Sequence, residues 1–174
     1  MSLTIQTGQN NPILRKVSDT VKAVTKKTLK LIKDMQEAME KEKGVGLAAP
    51  QVGENVRVIL VLLDQKKQVP MINPEILSHS DKIVSAEEGC LSLPGEWGQV
   101  ERFAEVTVRY LDTKGHTNTL KLTDFNARVV QHEIDHINGI LFTDHVKPAS
   151  VARAATGPVA DFLTIPKERE TERL

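Results

Sequence analysis

Gln131-His132-Glu133-Ile134-Asp135-His136 is an H-E-x-x-H pattern, and the rest of the chain is read outward from it. Two histidines four residues apart on a helix lie one above the other on the same face. Both imidazoles can then point at a single metal ion, with the intervening glutamate beside it as a general base. The residues around the motif support a helix. From Phe125 to Asn138 the helical period gives an apolar stripe (Ala127, Val130, Ile134, Ile137), a polar stripe (Arg128, Gln131, Asp135, Asn138) and a third stripe of Phe125, Val129, His132 and His136. Such a helix is expected to be buried on most of its circumference, as a central rod whose histidine stripe lines a cavity. Asp124 is the expected N-cap and Gly139 the expected stop.

At 174 residues and 19.3 kDa the chain suits one catalytic domain over residues 1–174, with about 164–174 as a solvated tail. Lys+Arg and Asp+Glu both total 23, so no bulk charge recommends nucleic acid or a membrane surface, and no nucleic-acid motif is present. The single cysteine, Cys90, cannot form an internal disulfide, which fits a reducing compartment and leaves one thiol for a metal or for catalysis. No apolar run is long enough to cross a bilayer, and Met1-Ser2-Leu3-Thr4-Ile5 lacks the basic start of a secretion signal. The expected location is the cytoplasm, or an organelle if a transit peptide has been removed.

Before the motif, Asn10-Asn11-Pro12-Ile13-Leu14-Arg15 reads as a turn into a loop packed on the body, and Thr25 to Lys43 as an amphipathic surface helix. Gly44-Val45-Gly46-Leu47-Ala48-Ala49-Pro50-Gln51-Val52-Gly53 reads, alone, as a structural turn. Its small residues permit close backbone approach, and Gln51 offers an amide able to donate to an oxyanion. Val56 to Leu63 is a buried strand that pairs with Val69 to Ile72, after which Asn73-Pro74 is expected to break the segment. Glu105 to Leu111 and Asn118 to Thr123 alternate as a hairpin leading into the central helix, and Ile140-Leu141-Phe142 closes over the core.

A catalytic metal needs three protein ligands and an open position. Phe142 occupies the position where a metzincin would place its third histidine, His145 lies too far along, and His79 and His116 sit in or beside turns. A thermolysin-type glutamate is poorly supported, because the acids after His145 are Asp161 and those of the tail. By elimination the third ligand is Cys90, within Glu88-Gly89-Cys90-Leu91-Ser92. Arg102 and Glu88 are expected to pair beside this cysteine loop.

Gly44-Val45-Gly46-Leu47-Ala48-Ala49-Pro50-Gln51, Glu88-Gly89-Cys90-Leu91-Ser92 and Gln131-His132-Glu133-Ile134-Asp135-His136 together resemble the three signature motifs of the peptide deformylases, in the same order and at similar separations. The resemblance runs from about Asn11 to Val146. Asp124, Asn126, Trp97 and the proline-containing C-terminus depart from the common pattern. The resemblance implies an α+β fold, with antiparallel β-sheets wrapped around a central metal-binding helix. It also implies hydrolytic removal of the formyl group from N-terminal formyl-methionine of nascent polypeptides, with transient ribosome contact. One divalent metal is implied, Fe(II) natively, with Zn, Ni or Co accepted. In that picture Cys90, His132 and His136 are ligands, Glu133 is the acid–base residue, and Gln51 and the Leu91 N–H hold the oxyanion. Gly46 pairs with the substrate backbone, and Val45, Phe125 and Val129 contribute to the methionine pocket. The competing readings are an H-E-x-x-H metallo-endopeptidase, which needs a conventional third ligand, and a noncatalytic peptide-binding module stapled by metal, which needs a fourth.

Overall fold

The fold is described from a computed structural model, covering residues 3–146 and the backbone of 152–153. The tail at 164–174 and the prolines from Pro148 onward lie outside the described residues. Among the described residues, eight strands and three α-helices occur in the order α1 (Pro12–Arg15), α2 (Lys26–Lys41), β1 (Gly46–Ala48), β2 (Val58–Leu63), β3 (Lys67–His79), β4 (Ile83–Cys90), β5 (Leu93–Phe103), β6 (Glu105–Leu111), β7 (Thr117–Thr123), α3 (Asp124–Ile137) and β8 (Ala152–Arg153). One antiparallel sheet has the order β1-β2-β3-β6-β7 and the other the order β4-β5-β8. The architecture is α+β, with both sheets packed around α3.

Strand β2 explains how the layers meet. Its residues Val58 to Val61 are all fully buried, although alternate side chains of a strand point in opposite directions. Ile59 and Val61 join Ala127, Val129, Val130, Ile134 and Ile137 of α3 in one apolar cluster. Val58 and Leu60 join Ile32, Met35, Ala38 and Met39 of α2 in another. The strand is covered on both faces, which is why its sequence is an unbroken apolar run rather than an alternating one. A third cluster of Leu14, Leu93, Val100, Leu141, Phe142 and Val146 surrounds Cys90.

The helix α2 begins at its N-cap Thr25, whose hydroxyl accepts from the Thr28 N–H in a reciprocal capping box. The expected hairpin of β6 and β7 forms in full register from Glu105↔Thr123 to Leu111↔Thr117. Several local expectations are corrected. Asn73-Pro74 does not end β3: Asn73 takes a left-handed φ of 50°, and the ladder to β6 slips between Ile72 and Glu75 before resuming. The irregularity is a bulge, pinned because Asn73 exchanges hydrogen bonds with the backbone of Val21 at 2.9 and 2.8 Å. The Gly44–Gly53 stretch is an edge strand, β1, followed by a 3₁₀ turn over Ala49–Val52, instead of a turn alone. Pro12–Arg15 is one helical turn capped by the Asn11 side chain, not a loop. Thr123 rather than Asp124 is the helix N-cap, and Asp124 itself has a φ of 51°. At the other end Gly139, with a φ of 73°, is the stop its sequence position implied, and any side chain there would collide with the backbone of Arg15.

Candidate active site

Three elements deliver the site. Helix α3 supplies His132, Glu133 and His136, the end of β4 supplies Cys90, and the 3₁₀ turn after β1 supplies Gln51. Cys90 Sγ lies 3.2 Å from His136 Nε2, which lies 3.2 Å from His132 Nε2. All three donor atoms fall within 4.8 Å of one another, and all three residues are buried. Two ligand atoms about 2.0–2.3 Å from a tetrahedral ion stand roughly 3.3–3.6 Å apart, so the group is spaced closely enough to hold one metal ion. One thiol and two imidazoles suit a borderline cation.

The candidate ligands are oriented from behind. His132 Nδ1 meets Glu88 Oε2 at 2.9 Å, which fixes the ring and turns Nε2 toward the cage. Glu88 is fully buried and is gripped by Arg102 through two bonds of 3.0 Å and by Arg128 through one of 2.7 Å. Burial alone would raise the Glu88 carboxyl, but the hydrogen bonds from His132 and Arg102 outweigh it and hold the group well below its ordinary range. Burial opposes charge on His132 as well, yet Cys90 and Glu88 reverse it and favour a positive ring. Those same negative neighbours favour a cation at Nε2, where proton and metal are alternatives. His136 goes the other way, held neutral by burial and by the neighbouring His132.

Glu133 is 2% exposed, and its Oε2 has no hydrogen-bond partner among the described residues. Burial pushes its carboxyl up to about 7. Gly46 faces it so closely that a Cβ there would lie 2.8 Å from Glu133 Cδ. The amide of Gln51 is fixed at both ends. Its Oε1 accepts from the Ala48 N–H at 2.8 Å, leaving Nε2 3.5 Å from Cys90 Sγ and 3.2 Å from Ser92 Oγ.

A cleft opens over this centre. Val45, Gly46, Gln51, Cys90, Leu91, His132 and Glu133 all line it, and His136 lies buried beside them. Phe125 and Val129 do not line it; they pack with Val45 in the core cluster between α3 and the larger sheet. His79 and His116 are exposed, as their turn positions implied. The Arg102–Glu88 pair forms as the sequence suggested. The polar stripe of α3 differs from a solvated face: Arg128 and Gln131 are buried, Arg128 on Glu88 and on the carbonyls of Val100 and Val84, Gln131 on the backbone of Phe103. Arg128 therefore belongs to the site's support and was missed. Its signal was a charge one helical turn before His132 on a helix otherwise patterned for burial. Ser92, bonded to Gln51, carried no signal of its own.

A buried Cys-His-His cage with an adjacent protonatable glutamate, under a cleft floored by an edge strand, defines a metal-dependent hydrolase. The chain belongs to the polypeptide deformylase family, whose model matches residues 3–152. It is 47% identical over 134 residues to the peptide deformylase of Pseudothermotoga lettingae, covering 77% of each chain. Among solved structures, the peptide deformylase of Thermotoga maritima is 38% identical with a TM-score of 0.81, over 85% of this chain and 99% of that one. A Met-Ala-Ser-bound class I type b peptide deformylase from Acinetobacter baumannii is 39% identical with a TM-score of 0.79, over 84% and 100%. The activity of this family is hydrolytic removal of the N-formyl group from newly made proteins.

Proposed function

We propose that the chain works as one catalytic domain that deformylates N-terminal formyl-methionine with a single divalent ion, natively Fe(II), held by Cys90, His132 and His136. The observation that carries this reading is the convergence of the three donor atoms beside Glu133 and Gln51. When bound, the ion supplies Lewis acidity, polarising the formyl carbonyl and lowering the pKa of the attacking water. The thiolate softens the site, so Zn, Ni and Co are accepted in place of Fe(II).

Glu133 takes a proton from the water as its oxygen bonds to the formyl carbon, and returns it to the amine as the C–N bond breaks. Formate and a free methionyl amine result. A carboxyl raised to about 7 is matched to both halves of that exchange. Gln51 Nε2 and the Leu91 N–H donate to the developing oxyanion, each preorganised donor being worth about 10²–10³ in rate. The backbone of Gly46, in an edge strand, pairs with the substrate as an added strand. Val45 forms the apolar wall for the methionine side chain, with Phe125 and Val129 packed in the same cluster. The Met-Ala-Ser carried by the Acinetobacter baumannii structure is the peptide left when a formyl group is removed from formyl-Met-Ala-Ser. We place the reaction in the cytoplasm, with transient contact at the ribosome.

The test is formate release from formyl-Met-Ala-Ser by anaerobically prepared Fe(II) protein beside its Glu133→Ala variant, with an unformylated longer peptide as control. Formate from the unaltered protein alone, with the control uncut, is the expected result. Cleavage of the control would point to an endopeptidase, and silence on both substrates to a binding module.

A further inference from the structure

We propose that Asp135 and His145 are positioning residues for the ligand His132, acting from the protein surface through Arg102 and Glu88. The inference rests on the metal-site reading above. His132 Nδ1 is held by Glu88, and Glu88 by the forked bonds of Arg102. The second cation on Glu88, Arg128, is anchored independently by two backbone carbonyls, of Val100 and Val84. Arg102 has no such anchor among the described residues: apart from Glu88, its guanidinium bonds only to Asp135 Oδ2. That same oxygen meets His145 Nε2 at 2.8 Å. A continuous chain of charged or polar hydrogen bonds therefore runs His145, Asp135, Arg102, Glu88, His132.

The chain ends in open space. A cavity of about 230 Å³ is lined by Arg102, Asp135 and His145, with apolar walls that include Ile83 and Ile134. Asp135 is 16% exposed at its side chain and His145 37%, whereas Arg102 is 5%. A buried guanidinium stripped of its outer carboxylate keeps unsatisfied donors, and the cavity gives it room to swing toward water. That movement loosens its fork on Glu88, and with it the orientation of the His132 ring. Asp135 lies on α3 one turn beyond His132, so its own position is fixed by the helix that carries the ligand. His145 follows the 3₁₀ turn Phe142–Asp144 and so links the segment after α3 to the same chain.

Loss of outer groups that orient a ligating histidine typically weakens metal binding about 10–100-fold. The experiment loads the full chain with Zn(II), adds a chelator in excess and follows metal release for the unaltered protein, Asp135→Ala, Asp135→Asn, His145→Ala and His145→Gln, alongside thermal melts and kcat and KM on formyl-Met-Ala-Ser. Expected are release about 10-fold or more faster in Asp135→Ala and several-fold faster in His145→Ala, with kcat lowered and KM little changed. Partial rescue is expected in Asp135→Asn and His145→Gln, which keep one hydrogen-bonding atom. Release at the unaltered rate in both alanine variants, with only the melting temperature lowered, would overturn the proposal. His145 is exposed enough to be replaced without loss of fold, so it decides the matter if Asp135→Ala fails to fold. A Cys90→Ala control separates the two readings: if that variant holds Zn(II) as tightly as the unaltered chain, the site assignment itself fails.

Discussion

Gly46 and Glu133 share a volume that admits no further atom, because a Cβ on the first would overlap the carboxylate of the second. Gly46→Ala is expected to displace Glu133 and reduce kcat about 10²-fold, the usual scale for a misplaced reacting group, while circular dichroism stays unchanged. Glu133→Gln is expected to lower kcat by about 10²–10⁴ with metal content retained, measured by formate release and metal analysis. Glu88→Ala would leave Arg128 buried with no carboxylate partner and Arg102 with Asp135 alone, and is expected to cost about 3–5 kcal/mol in urea unfolding. At this scale the sequence was informative wherever one helix carries the chemistry. The four-residue spacing of His132 and His136 is local geometry, and Cys90 followed by elimination. Leu91 needed the resemblance, and Gln51 was only an available amide donor until it, since its approach to the cysteine depends on how the turn after β1 and the end of β4 close on each other. Phe125 and Val129 share the helix stripe of the histidines, and both pack with Val45 in the cluster between α3 and the larger sheet, Phe125 only partly buried there.

Elements with one strong periodicity were legible. Helices α2 and α3, strand β2 and the β6–β7 hairpin follow from apolar spacing and turn residues. The β4–β5 hairpin did not follow: Gly, Pro, Glu and Gln are scattered through Leu93 to Gln99, and its pairing slips between Gly89 and Cys90. Strand β3 was cut short at Asn73-Pro74 because a bulge has the same local signature as a chain break, and only the distant backbone of Val21 distinguishes them. Elements are also tied by charge. Arg15 of α1 pairs with Asp144 of the 3₁₀ turn after α3. Burial alone would raise the Asp144 carboxyl, but Arg15 and the Leu141 N–H outweigh it and set the group below its ordinary value of 3.8. A lowered folded-state pKa gives stability that is present above the unfolded value and lost as pH falls through the folded one. Asp144→Asn is therefore expected to melt lower than the unaltered protein at pH 6, with the gap narrowing toward pH 3 in thermal melts.

In the whole molecule, both sheets pack around α3 and also touch where His79 of β3 stacks on Phe103 of β5, and the site lies where the end of one hairpin reaches that helix. The α+β class and the central rod were readable because a helix buried on most sides needs sheets to cover it. Strand order was not, since pairing partners such as β3 and β6 lie across a hairpin assigned to the other sheet. β1 is a sheet edge beside the cleft, so a substrate N-methylated at the peptide bond after methionine is expected to lose about tenfold in kcat/KM through the missing strand hydrogen bond. The cage also joins parts of the chain far apart in sequence, Cys90 on β4 and His132 on α3. An ion bound there closes a loop of more than forty residues, and a cross-link of that span removes about 4 kcal/mol of unfolded-chain entropy in the polymer estimate. An ion held there would thereby also be a topological clasp. A cell short of metal would lose folded protein together with turnover, and the pool of this enzyme would track metal supply through degradation of the opened chain.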